Sequence, residues 1–169
     1  KNPFKGHSAR ERLTPSPVFT GAAPRGQTQV MATSGLFQQA PNTDILCSNL
    51  EGTKFVHIQV KTFVPGIRAC SVGRKAEKSY GDNFFWVLGG IPTPNTIAPF
   101  QYFIIPSAVV AKNVAEAHKQ WLETLGKGGR QHEDNSVRTI ALPPYKGFNG
   151  WEIAEYEERW DLIEDRLAD

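Results

Sequence analysis

Thr43-Asp-Ile-Leu-Cys-Ser-Asn49 and Lys54-Phe-Val-His-Ile-Gln-Val-Lys-Thr62 are two short runs rich in β-forming residues, separated by Leu50-Glu51-Gly52-Thr53. Both runs read as strands, and Glu51-Gly52 reads as a tight hairpin turn in which glycine supplies a positive φ. With Leu50 facing Thr53, the pairing continues outward and sets Asp44 opposite Gln59. Directly paired residues of antiparallel strands hold their Cβ atoms about 5 Å apart on one sheet face. Alternation then sends Val56, Ile58 and Val60 one way, into the core. Phe55, His57, Gln59 and Lys61 go the other way, together with Asp44. That second face gathers a carboxylate, a carboxamide and an ammonium. A carboxylate oxygen, an amide oxygen and a neighbouring backbone carbonyl are hard donors of the kind Mg2+ accepts. A lysine beside them can orient an attacking water or stabilise charge developing on a phosphate. Half-exposed strands also carry polar residues on their solvent side by default, and a one-residue slip would move Asp44 across the sheet.

Working outward, residues 1–29 are interrupted by Pro3, Pro15, Pro17 and Pro24 and by Gly6, Gly21 and Gly26, so they read as an irregular N-terminal arm. Only Ser8 to Leu13 has room for a short helix there, and Gln29 to Thr33 reads as a strand. Beyond the hairpin, Arg68 to Val72 reads as a strand and Arg74 to Ser79 as a short helical patch. Asn83 to Ile91 is almost continuously apolar, as expected of a central strand covered on both faces. Phe100 to Ile105 is the next strand, stopped by Pro106. Ser107 reads as the N-cap of a helix whose Val109, Val110, Val114, Ala117, Trp121 and Leu122 recur at helical spacing as far as Gly126. A polar loop from Gly126 to Val137 precedes a short strand at Thr139 to Leu142. Trp160, Ile163 and Leu167 form one stripe of a closing helix over Tyr156 to Leu167. The expected organisation is a mixed α/β core over 30–149 and an acidic C-terminal helix, 150–169, packed on it.

The chain of 169 residues suits one domain with a single core. Lacking an initial Met, it is expected to be preceded by further residues. It contains no apolar run long enough to span a membrane and no signal-type leader, and its two cysteines form neither a disulfide framework nor a zinc spacing, so a cytoplasmic location is expected. Net charge is only +2, but eight acids against two arginines from Glu152 onward leave the preceding residues at about +8. A basic body suits an anionic partner, with nucleic acid first. No glycine-rich phosphate loop, HExxH or GxSxG motif occurs, which removes support for nucleotide-cofactor, zincin and serine-hydrolase chemistry.

Thr43-Asp44-Ile45-Leu46 followed by Phe55-Val-His-Ile-Gln59-Val-Lys61-Thr62 resembles the core of the PD-(D/E)XK, or restriction-endonuclease-like, nuclease superfamily. More narrowly it resembles small bacterial restriction-endonuclease-like or Holliday-junction-resolvase-like proteins. Ser34-Gly35, the Arg74-Lys75-Ala-Glu-Lys78 patch, Asn83-Phe-Phe-Trp-Val87, Tyr102-Phe-Ile-Ile-Pro-Ser107 and Arg159-Trp-Asp-Leu162 extend the likeness over most of the chain. The resemblance implies a single-domain mixed central β-sheet flanked by helices and an Mg2+- or Mn2+-dependent DNA endonuclease. It implies Asp44 and Gln59 as metal ligands and Lys61 as the catalytic lysine. Two positions depart from the family pattern. Gln59 replaces the commoner Glu, which removes a negative charge, and the acid-bearing helix usual before the Asp is replaced by the Pro/Gly-rich arm, where Glu11 is the only acid.

His57, Arg68, Arg74, Lys75 and Lys78 are candidate DNA contacts beside the hairpin, and a solvated basic surface is the alternative. His132-Glu133-Asp134, with Arg130 and Arg138, reads as a polar loop without ligand spacing, and Trp121 as core packing beside His118. Three functional classes stand: the endonuclease with DNA as partner and a homodimer left open, a nuclease-fold protein that has lost catalysis and binds DNA or protein, and a protein-binding module of phage defence or its evasion acting through the acidic tail.

Overall fold

A computed structural model describes residues 42–168. The expected strand at Gln29 to Thr33, the helix at Ser8 to Leu13, and Glu11 lie outside the described residues.

The hairpin comes first. Strand β1 (Ile45–Ser48) pairs antiparallel with β2 (Phe55–Phe63), with Ile45 opposite Ile58 and Ser48 opposite Phe55. That is the expected register. The connection, however, is wider than a two-residue turn. Asn49 N–H donates to the Lys54 carbonyl, and the Asn49 Oδ1 accepts from Thr53 N–H and Lys54 N–H at 2.9 and 3.0 Å. An asparagine side chain thus substitutes for the ladder across a four-residue loop, and Gly52 supplies its one left-handed turn at φ 67°. Both closures keep the same pairing, which is why the register survives the different loop.

Strand β3 (Ala69–Ser71) leaves the main sheet and pairs with β6 (Thr139–Ala141) in a separate two-stranded ribbon. The chain returns as β4 (Phe84–Gly90), parallel to β2, with Gln59 level with Trp86 and Lys61 level with Leu88. Strand β5 (Gln101–Pro106) closes the sheet antiparallel to β4, giving a mixed four-stranded sheet in the order β1-β2-β4-β5. Every residue of β4 is buried, because its alternate side chains feed two different cores. Phe84, Trp86 and Leu88 join Phe103, Ile105, Val110, Val114, Ile140 and Ile153 on one side. Phe85 and Val87 join Cys47, Val56, Ile58, Ile104, Ile163 and Leu167 on the other.

Helix α1 (Ser107–Glu123) covers the first side with Val110, Ala111 and Val114. Ser107 is inside the first turn and not its cap: Pro106 holds that position, and the buried Ser107 hydroxyl accepts the Tyr80 N–H at 2.9 Å. Helix α2 (Asp161–Leu167) covers the second side with Ile163 and Leu167. It starts later than its apolar stripe predicts. Glu157 bridges to Phe103, Glu158 N–H donates to the Tyr102 carbonyl at 2.8 Å, and Glu158 takes φ 54°, so residues 154–158 are held to β5 before a helix can begin. No described helix is long and apolar enough to cross a membrane.

Both cysteines are interior, and burial pushes the Cys47 and Cys70 thiols above their ordinary range, with the Lys61 charge opposing this at Cys70. The thiolate is the reactive form, so both should resist labelling. A disulfide reagent is expected to modify neither in native buffer on the timescale at which it modifies both in guanidinium. Rapid labelling of the native protein would contradict this packing.

Candidate functional site

At its outer end, β1 runs out one residue before the hairpin ladder would be complete. Asp44 N–H donates to the Ile58 carbonyl at 2.9 Å, and the next free donor on β2, Val60 N–H, is met at 2.7 Å by Asp44 Oδ2. A carboxylate therefore takes the place of a main-chain acceptor at the strand end. The same oxygen accepts a hydrogen bond from Gln59 Nε2, which also lies 3.4 Å from the Val60 carbonyl oxygen. The Gln59 –NH2 thus sits between a carboxylate oxygen and a backbone carbonyl oxygen. Amide O and N are nearly isosteric. As it stands the amide closes on the carboxylate, so a cation would need the Gln59 amide to swing away before Oε1 and Asp44 Oδ2 could both face it. A carboxylate and a carboxamide oxygen are donors of the kind a hard divalent cation takes, with water completing its shell.

The surroundings differ from the solvated face expected from alternation. Asp44 is exposed, but Gln59 is only 8% exposed, and Phe63 on the same face belongs to the core with Phe84, Trp86 and Leu88. Polar residues of β2 occupy the rim of a core whose bulk comes from β4, a strand that pattern reading of the hairpin alone does not see. Lys61 is half-buried two residues beyond Gln59, and none of the ion pairs among the described residues includes it. Asn42 was missed by sequence reading. Its Oδ1 is buried without a donor, two residues before Asp44, in a left-handed residue at φ 72°. The Asn42-x-Asp44 alternation was the available signal. Among the described residues no three His, Cys, Asp or Glu side chains group as a metal site.

The candidate DNA contacts divide into two places. His57 is exposed, its Nδ1 3.3 Å from Thr43 Oγ1, and its ring lies parallel to Phe84 at 6.4 Å. Phe84 packs on Tyr80 at 4.7 Å, and the Lys78 ammonium lies 5.6 Å above the Tyr80 ring. Lys75 is exposed and its carbonyl accepts the Tyr80 hydroxyl, so His57, Lys75 and Lys78 form one connected rim. Arg68 and Arg74 are elsewhere. Arg74 is paired with Asp134 at 2.8 Å, and Arg68 lies over the Tyr145 ring at 5.0 Å.

The stretch expected to be a bare polar loop is anchored instead. Arg138 is 4% exposed and donates to Glu77, to Asp134 at 3.2 Å and to the Asn135 and Val137 carbonyls. Asp134 also accepts from Arg74 and contacts His118 Nε2 at 2.9 Å. The His118 hydrogen bond, helped by the Arg74 and Arg138 charges, holds the Asp134 carboxyl below its ordinary value. Trp121, expected in the core, is half-buried and stacked between His118 at 5.3 Å and His132 at 4.1 Å.

A depressed carboxyl contributes stability that is present above its unfolded value and lost as pH falls through the folded one. Melting temperatures of wild type and Asp134→Asn are therefore expected to differ at neutral pH and to converge as pH falls through the lowered folded value of the Asp134 carboxyl. A gap that stays constant across the acid range would rule out this anchor.

No protein-family model, curated protein or solved structure matches this chain. What fold and site define together is a mixed α/β protein with a carboxylate–carboxamide pair at the open end of its hairpin.

Proposed function

We propose that the chain is a divalent-cation-dependent DNA endonuclease of the PD-(D/E)XK type, working through Asp44, Gln59 and Lys61. The observation that supports this reading most is the direct contact of Gln59 with Asp44, which brings a carboxamide and a carboxylate together at the exposed end of the hairpin. A bound Mg2+ or Mn2+ supplies a Lewis acid and a more acidic water. Asp44 contributes the charge of the site, and Gln59 orients against it. Lys61, without a carboxylate partner among the described residues, offers its charge to a phosphate oxygen. His57, Lys75 and Lys78 line an adjoining rim suited to backbone phosphates. The restriction-endonuclease-like sheet belongs to the same proposal, and a mixed four-stranded sheet with a helix on each side agrees with it. The test is cleavage of plasmid DNA with Mg2+ or Mn2+, and with EDTA as control. Cation-dependent nicking or cutting is expected, and intact DNA under every cation condition would refute the activity.

One observation favours a second reading, a nuclease-fold protein that has lost catalysis but binds DNA or a protein partner. Asp44 already closes the β1–β2 ladder through Val60 N–H, a structural use that needs no metal. That reading predicts salt-sensitive DNA binding without cleavage.

A further inference from the structure

A cleft of about 450 Å3 opens between the second half of α1, the outer face of the β3–β6 ribbon and the segment 145–148. Small side chains make it. Ala69 and Ala141 are paired across the ribbon, and each lines the cleft with no more than a methyl group. Flat rings border it: Tyr145, Phe148 and the edge of the Trp121 stack. Phe148 is 58% exposed and has no ring partner among the described residues. Arg68, His118, Arg138 and Lys146 line the cleft, and among the described residues no Asp or Glu does.

The cations are not equally available. Arg138 is satisfied by Glu77, Asp134 and two carbonyls. Lys146 is paired with Glu152 at 2.7 Å, but both are about half exposed, and such a pair is weak enough for a phosphate to compete. Arg68 has no carboxylate partner among the described residues, and its guanidinium lies over Tyr145 at the cleft. A planar fork that is uncommitted to an acid suits a phosphate. The volume is in the range of small-molecule sites.

We infer that this cleft binds a nucleotide, its base lying against Phe148 and its phosphate on Arg68 and Lys146. The nucleotide comes either as a free mononucleotide or as one unstacked unit of a single strand. The inference is independent of hydrolysis at Asp44, because none of the cleft residues belongs to that site.

The test is calorimetric titration of the full chain in EDTA, so that no divalent cation contributes, with AMP, adenosine, inorganic phosphate and a short single-stranded oligonucleotide as probes. AMP is expected to bind in the micromolar to low-millimolar range, roughly tenfold or more tighter than adenosine or phosphate alone. Arg68→Ala is expected to weaken AMP about tenfold. Thr139→Trp, placed at an exposed position on the cleft floor, is expected to abolish binding without lowering the melting temperature. An oligonucleotide that binds tighter than AMP and is sensitive to both substitutions assigns the cleft to a strand; equal or weaker binding assigns it to the free nucleotide. Absence of binding by AMP and oligonucleotide at millimolar concentration, phosphate binding as tightly as AMP, or indifference to both substitutions would overturn the inference.

Discussion

Asp44→Asn is expected to lower cation-dependent DNA cleavage by at least about a hundredfold while leaving the fold close to wild-type stability. The two uses of the Asp44 side chain separate in this variant. Asparagine keeps an oxygen for the Val60 N–H, so the strand end stays closed, but it removes the charge that, on the proposed reading, would draw a cation to the site. Asp44→Ala loses both. It is expected to abolish cleavage and also to cost about 1 kcal/mol, the usual effect of leaving a strand-end donor without its acceptor. Lys61→Ala is expected to lower cleavage by about 10²-fold or more with cation binding intact, because in the proposed mechanism its charge would act on the phosphate and not on the metal. Wild-type cleavage in Asp44→Asn would leave Asp44 with its structural role alone. Melts of each variant, run beside the cleavage assay, distinguish lost chemistry from lost fold.

Arg138→Ala is expected to be the most destabilising single change outside the apolar core, by about 3 kcal/mol. The guanidinium is buried and makes contacts to four residues, tying Glu77 after β3 to the loop that leads into β6. Removing it leaves the half-buried Glu77 carboxylate and the Val137 carbonyl without this donor, while the Asn135 carbonyl keeps Arg74. Arg138→Lys is expected to recover only part of the loss, because an ammonium lacks the planar fork that reaches several acceptors at once. Urea denaturation measures both, and a cost below about 1 kcal/mol for Arg138→Ala would show that the loop is held by other contacts.

The β1–β2 register was legible because two independent constraints agreed, the glycine at the turn and the alternation of Val56, Ile58 and Val60. The run Phe84 to Leu88 identified the central strand for the same physical reason, since only a strand covered on both faces is apolar throughout. Alternation failed where a neighbouring strand decided the environment. Gln59 is buried because Trp86 lies level with it on β4, and nothing within the hairpin encodes that pairing. The anchored loop was illegible for a similar reason. Arg138 meets Glu77 across 61 residues of sequence, and isolated charges in a polar stretch give no sign of such a partner. Trp121 fits a helical stripe by spacing, yet the stripe turns away from the sheet toward His132 in the second half of α1. The basic residues close together in sequence separate in space because β3 leaves the sheet, carrying Arg68 to the cleft while Lys75 and Lys78 stay beside Tyr80.

Titration of the full chain with Mn2+, followed by electron paramagnetic resonance, tests most directly the proposal that Asp44 and Gln59 hold a cation. One bound Mn2+ per chain is expected, displaced by Mg2+, retained in Lys61→Ala and lost in Asp44→Asn. No stoichiometric site in the wild type, or a site that Asp44→Asn leaves unchanged, would contradict it.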